Sequence, residues 1–222
     1  LADDGIIENS GFERISSRIN VDYQAKKWLK FGVNLSYANV KSRYPGDQDT
    51  DAATSSGNAF FVGNFIAPIY PMYVRNAEGQ IMHDANTGYR IYDYGDGEST
   101  NFTRNFMSMS NPMSSFLYDT EEYLMDILNG KWYAKVDILD GLSLTASLGL
   151  HVDNTRLHIV GNKYYGQSAS QNGSVQQYSS RTYSLDQQYL LTYKKAFDVH
   201  HIDILAGYES MDYNTESHYI LG

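Results

Sequence analysis

Six segments of this chain alternate apolar and polar residues with a period of two, and that pattern constrains the fold more than any other feature. From Ile15 to Tyr23 the odd positions are Ile15, Ser17, Ile19, Val21 and Tyr23, and the even ones Ser16, Arg18, Asn20 and Asp22. From Leu29 to Tyr37 the odd positions are Leu29, Phe31, Val33, Leu35 and Tyr37, set against Lys30, Gly32, Asn34 and Ser36. Successive side chains of a strand point to opposite faces, so each segment has one greasy face and one wet face. Strands are predicted over 12–24, 28–40, 123–139, 142–153, 181–193 and 199–213. Runs of this length exceed the usual soluble strand and match a tilted crossing of a bilayer.

Short connections at 25–28, 140–141 and 194–198 take turns with long ones at 41–120 and 154–180. In an up-and-down antiparallel sheet that parity gathers the long loops at one end. Asp140-Gly141 is the strongest hairpin signal, and a type I′ turn there requires positive φ at both residues. The longer connection has one strongly apolar stretch, Ala59 to Val74, in which Pro68 and Pro71 interrupt regular structure. A short helical turn is expected before Pro68. The fold class is therefore all-β, an antiparallel up-and-down transmembrane β-barrel segment. A soluble all-β carbohydrate-binding module is the alternative, since any half-buried antiparallel sheet alternates. A soluble meander, however, has no reason to sort its connections by length.

Composition narrows the reading further. No run approaches the roughly 18 apolar residues of a transmembrane helix, which leaves strands as the only crossing element. The mean hydropathy of −0.46 is compatible with that, because half of a barrel strand faces a polar lumen. A net charge of −9 without any basic run argues against nucleic acid. Cysteine is absent, which removes disulfides, thiolate metal sites and cysteine nucleophiles. The 20 tyrosines and 2 tryptophans suit interfacial girdles or binding platforms, and Tyr23, Trp28 and Tyr193 stand beside short turns, where such a girdle lies. With no Met, basic leader or apolar leader at Leu1, the chain is read as an internal piece of a longer protein.

Phe12-Glu13-Arg14, Ser17 through Asp22, and Trp28 through Tyr37 together resemble the barrel of SusC/RagA-type TonB-dependent outer-membrane transporters. Gly63-Asn64, Ala67 through Pro71, Asp140-Gly141-Leu142 and Leu205 through Glu209 extend the resemblance along the whole chain. The resemblance implies a piece of a 22-stranded barrel in the outer membrane of a Gram-negative cell. It further implies import of oligosaccharide or peptide cargo, a SusD-like lipoprotein partner and energy from TonB. The plug domain and TonB box of that family have no counterpart here, so the expectation is a wall segment at 1–222, not a complete transporter. The three short turns are then periplasmic and the two long loops extracellular.

Tyr70, Tyr73, Tyr89, Tyr92 and Tyr94 cluster in the longer loop, where their rings are candidates to stack on cargo; the plainer reading is that they pack the loop. Arg14, Arg18, Asn20 and Asp22 are expected to face the lumen or the plug. Asp47, Asp49 and Asp51 have the one-three-five spacing of a calcium loop, but Ala52 and Asn58 stand where Gly and Glu belong. A solvated acidic loop is the plainer account, as it is for Asp93, Asp96 and Glu98. His200 with His201, and His151 with His158, fall on opposite strand faces by parity and cannot share a metal. No nucleophile elbow occurs, and Glu121-Glu122 are neighbours on opposite faces. No metal, no cofactor and no enzymatic activity are expected.

Overall fold

The computed structural model describes residues 1–44, 63–95, 103–106, 111–165 and 167–222. Seven strands form one antiparallel sheet in sequence order: β1 (Ala2–Asp4), β2 (Gly11–Lys26), β3 (Leu29–Tyr44), β4 (Thr120–Leu139), β5 (Leu142–Gly161), β6 (Ser174–Phe197) and β7 (His200–Leu221). A seven-residue helix, α1 (Pro112–Tyr118), leads into β4, and a 3₁₀ turn (Gln167–Gln171) precedes β6. The architecture is all-β and up-and-down, as the alternation predicts. The tight turns β2–β3, β4–β5 and β6–β7 sit at one end, and the long connections sit at the other.

Several boundaries differ from the sequence expectation. A three-residue β1 joins the edge of β2, too short to show any period. The connection expected at 154–180 shrinks, because β5 continues to Gly161 and β6 begins at Ser174. The last turn lies at Asp198-Val199 rather than 194–198, with Phe197 paired to His200 and Asp198 at φ 53°. At the Asp140-Gly141 hairpin only Gly141 has positive φ, at 80°, so the turn is not type I′. A register shift between Asp137 and Leu139 absorbs the strand twist instead, as a bulge does. Residues 63–65 are helical, just ahead of Pro68.

The register aligns the apolar residues into rows across the sheet. Tyr23, Phe31, Ala134, Ala146, Tyr189 and Tyr208 form one row, and Ile19, Leu35, Gly130, Leu150 and Leu185 another. Between them run Val21, Val33, Trp132 and Leu148. These rows make an apolar band on one face of the turn-side half. On β5 the band spans Leu142 to Val152, about 33 Å of strand, or about 25 Å of height at a barrel tilt near 40°. The sandwich alternative requires this band to pack against a second sheet. It does not: Phe31 is 42%, Leu148 40% and Ile204 56% exposed.

In the loop-side half both faces change character. The band face becomes mostly polar, with Asn39, Lys41, Arg43, Glu122, Asp126, Asn154 and Arg156, although Leu124, Val160 and Val175 also lie on it. The opposite face becomes apolar, with Ala38, Val40, Met125, Ile127, Leu157 and Ile159. Burial follows the exchange. Ala38, Val40 and Ser42 are buried, whereas the exposed residues at this end of β5 and β6 are Arg156, Val160, Val175 and Arg181, all on the band face. The crossover runs along the row Tyr37, Leu128, Val152 and Tyr183.

Candidate functional site

The β3–β4 connection builds a small folded unit at the loop end. Three isolated bridges, Tyr73 to Tyr92, Arg75 to Ile81 and His83 to Arg90, draw its chain into ribbons. Asn76 Oδ1 accepts the Gln80 N–H at 2.8 Å to close one turn, with Gly79 at φ 81° where a side chain would strain. Asp84 Oδ1 closes the next by accepting the N–H groups of Asn86 and Thr87 at 2.9 and 2.8 Å. The Thr87 hydrogen bonds come first in holding the Asp84 carboxyl below the usual carboxylate range. Pro112 opens α1, where a missing N–H leaves nothing unpaired. Asn111 Nδ2 donates to the carbonyls of Met72 and Asp93, pinning α1 to the ribbon at 2.9 Å each.

Around this unit six tyrosines from three chain segments pack ring against ring, half of the pairs edge to face and half tilted. Tyr92 lies 5.0 Å from Tyr73, 6.0 Å from Tyr118 and 4.9 Å from Tyr165, centroid to centroid. Tyr89 lies 5.6 Å from Tyr118 and 5.4 Å from Tyr164. Arg90 stands 5.3 Å over the Tyr73 ring as a cation–π partner. Tyr92 is only 2% exposed, and burial pushes its phenol far above the usual range. Burial likewise raises the Tyr165 phenol to about 12. Both rings stay neutral at any physiological pH.

The five tyrosines singled out from sequence therefore separate. Tyr73, Tyr89 and Tyr92 share the cluster, and Tyr92 is its buried centre with no surface for a ligand. Tyr94 hydrogen-bonds Ser114 Oγ at 2.7 Å on α1, and Tyr70 packs against Phe106 at 5.8 Å. What the cluster does present outward is Tyr89 with Tyr164, 41% and 43% exposed. Tyr118, Tyr164 and Tyr165 are not among the candidates that sequence singles out; the Tyr164-Tyr165 doublet in the second long connection is the signal that points to them.

A second polar constellation lies on the face opposite the band, mostly in the turn-side half, with Arg14 just beyond the crossover row. Arg14, Arg18, Asn20 and Asp22 share that face of β2 by alternation. Tyr133 Oη reaches across β3 to donate to Asp22 Oδ1 at 2.5 Å, and Lys30 Nζ lies 3.4 Å from Asp22 Oδ2. Gly32 makes this reach possible, since a Cβ there would overlap Tyr133 Cε1 and crowd Asp22 Oδ1. Asn20, Asn34 and Lys131 form the adjacent row. Arg14 and Arg18 form no side-chain ion pair among the described residues. Sequence parity finds the face but not the pairing of Asp22 with Tyr133, which lies over a hundred residues away in the chain.

Asp47, Asp49, Asp51, Asp96 and Glu98 lie outside the described residues. Asp93 is buried and accepts the Gly95 N–H at 2.7 Å, a turn-closing role. His151 lies on the face opposite the band, where its Nδ1 is 2.7 Å from Asn129 Oδ1.

Comparison with known proteins bears on this geometry directly. No family model matches the chain. Over 209 residues it is 26% identical to TonB-dependent receptor P3 of Formosa agariphila, covering 94% of this chain and 19% of that protein. The RagAB peptide importer in its closed-closed state superposes with a TM-score of 0.61 at 21% identity, over 97% of this chain and 22% of the other. A further structure of the RagAB peptide transporter gives 0.60 at 20% identity, over 96% and 22%. The sheet has the fold of part of these RagAB structures. The resemblance to SusC/RagA-type TonB-dependent transporters thus agrees with a sequence relative that is a TonB-dependent receptor and with a fold shared with RagAB, and the chain spans about a fifth of the length of these relatives.

Proposed function

We propose that this chain is a wall and loop segment of an outer-membrane TonB-dependent importer of oligosaccharides or peptides in a Gram-negative cell. The exchange of polarity between the two faces carries the reading. Where the wall crosses hydrocarbon, the band faces lipid, and the opposite face, with Asp22, Lys30, Lys131 and Tyr133, lines an aqueous bore. Above the lipid, both requirements lapse. The outside then becomes polar, and the inside becomes apolar where loops pack against it. A height of about 25 Å for the band is what a transmembrane barrel needs.

The edges of β2 and β7 pair with further strands of the same barrel, because unpaired backbone groups are prohibitive in lipid. Arg14, Arg18, Asn20 and Asp22 face the bore and a plug within it. The long loops form the extracellular mouth, and Tyr89 with Tyr164 offers cargo a stacking surface there. A SusD-like lipoprotein covers that mouth, TonB supplies the energy, and the segment carries no catalysis. This chain contains no cysteine, so a parent protein cleared of any cysteine elsewhere permits a clean test. Single cysteines at Leu148 and at Ser147, placed in the parent protein in bilayers, report the two faces. A fluorophore at Leu148→Cys is quenched by nitroxide lipids, and Ser147→Cys reacts with a water-soluble maleimide. The reverse pattern overturns the proposal.

A further inference from the structure

The exposed pair of the tyrosine cluster offers more than a stacking surface. Tyr89 and Tyr164 touch, with centroids 5.4 Å apart and ring planes at 75°, and both are exposed, at 41% and 43%. In most tyrosine pairs among the described residues at least one ring is half-buried or buried, as in Tyr44 with Tyr123 or Tyr92 with each of its neighbours. The other pair with two exposed rings, Tyr189 with Tyr208, lies 6.3 Å apart within the band, where the wall reading sets it in lipid. Tyr89 and Tyr164 come from different connections, and backbone hydrogen bonds fix each of them. The Asp84 N–H donates to the Tyr89 carbonyl at 2.8 Å. Asn162 Oδ1 accepts the N–H groups of Tyr164 and Tyr165 at 2.9 and 2.7 Å, and Asp119 Oδ1 in turn accepts the Asn162 N–H at 2.8 Å. The chain has no cysteine, so no disulfide within it ties the two connections together.

We propose that Tyr89 and Tyr164 form a site of oxidative coupling, joined as dityrosine by a water-borne, peroxide-driven one-electron oxidant. The oxidant takes one electron from each phenol, and each phenolic proton passes to water. The two radicals join through a carbon–carbon bond between ring positions ortho to the hydroxyls. Each ortho hydrogen then moves as a proton to its own ring oxygen, which restores both phenols. The pair loses two hydrogen atoms in all, and one peroxide is reduced to two waters. Holding the rings in contact makes the bond-forming step intramolecular, which favours this pair over rings that must first meet. Tyr92 sits in the same cluster but is 2% exposed, so an oxidant in water does not touch it and no water takes its proton. The product ties the β3–β4 connection to the β5–β6 connection, a covalent closure that fixes the two against each other. Coupling depends on ring contact and exposure, whether or not the band faces lipid.

The test treats the parent protein in bilayers with hydrogen peroxide and a water-soluble haem peroxidase, followed by digestion and mass mapping of joined peptides. The expected result is dityrosine fluorescence and a peptide holding Tyr89 joined to one holding Tyr164, lighter than the separate pair by two hydrogen atoms. Tyr89→Phe and Tyr164→Phe, which keep the ring packing, each abolish that species. Tyr165→Phe, which removes the neighbouring phenol, leaves it in place. Absence of the joined species from the unsubstituted protein, its survival in Tyr164→Phe, or its loss in Tyr165→Phe overturns the proposal.

Discussion

The two halves of this sheet use the same backbone ladder for opposite purposes. In the turn-side half the apolar side chains of Phe31, Leu148 and Ile204 remain exposed, and the polar face holds the Asp22, Tyr133 and Lys30 cluster. In the loop-side half Val40 is buried, while Arg156 and Arg181 are exposed. One strand, β3, contributes to both patterns. Its even positions read Lys30, Gly32, Asn34 and Ser36, then Ala38, Val40 and Ser42. A single solvent cannot favour both arrangements, because burying apolar area and exposing charge are each favourable only against water. The contrast points to a change of surroundings along the strand, and the proposed membrane boundary would supply it.

The largest expected effect tests whether the loop-side half has a true core. Tyr92→Ala removes the 2%-exposed centre of the tyrosine cluster and should destabilise the loop unit by about 3–5 kcal/mol, as large aromatic truncations do. Limited proteolysis of the parent protein should then cut within 63–95 while the sheet stays resistant. Tyr89→Ala, at an exposed ring, should leave that resistance unchanged and weaken cargo binding. Equal protease sensitivity in the two variants would remove the distinction between core and platform.

The turn-side half is tested by charge. Leu148→Arg places a guanidinium in the middle of the band and should destabilise the folded protein in bilayers by about 2–4 kcal/mol. Ser147→Arg, one residue away on the opposite face, should change stability by less than about 1 kcal/mol. Denaturant titration in vesicles reads both. If the two substitutions are equally tolerated, the band does not face hydrocarbon.

A smaller effect is expected at Gly32. Its replacement by Ala drives a methyl group against Tyr133 and separates that ring from Asp22, for about 1–3 kcal/mol. Tyr133→Phe, which deletes the hydrogen bond without the clash, should cost about 1 kcal/mol. A double-mutant cycle between the two positions should show strong coupling, and additivity would mean that Gly32 serves only the backbone.

The same exchange of polarity explains what is legible in the sequence. Faces are readable because parity is strict, so alternation alone assigns Ile19, Leu35 and Leu150 to one side. Strand ends are not, because an apolar face can be followed outward only until it stops. From Asn154 to His158 the even positions of β5 turn polar while Leu157 and Ile159 become the apolar set, and a strand that changes its greasy side resembles a loop. The tyrosine platform is half visible for a different reason. Proximity in sequence suggests Tyr89 and Tyr92, and the Tyr164-Tyr165 doublet marks a second aromatic spot, but that Tyr118 and Tyr164 meet Tyr89 follows from ladder geometry that no local pattern encodes. Tyr94 departs by the same logic, since a neighbour along the chain points to Ser114 instead.

The gentlest probe of the contrast is pH, because the loop unit titrates where the band does not. Asp84 is held low by hydrogen bonds from Thr87 and Asn86, so its contribution is present above the unfolded carboxyl value of about 4 and fades as pH falls through the folded value. Tyr165 moves the other way. Its phenol is raised to about 12 by burial, so the stability linked to it is intact below the unfolded value of about 10 and is lost as pH climbs toward 12. The loop unit should therefore hold a plateau between about pH 4 and pH 10 and loosen on either side. Phenolate absorbance gives the alkaline limb directly. The difference titration between the protein and Tyr165→Phe should contain a step near the folded value of about 12 and none near the unfolded value of about 10. A step at the unfolded value would mean that Tyr165 is solvated in the assembled protein and that the cluster is a surface, not a core.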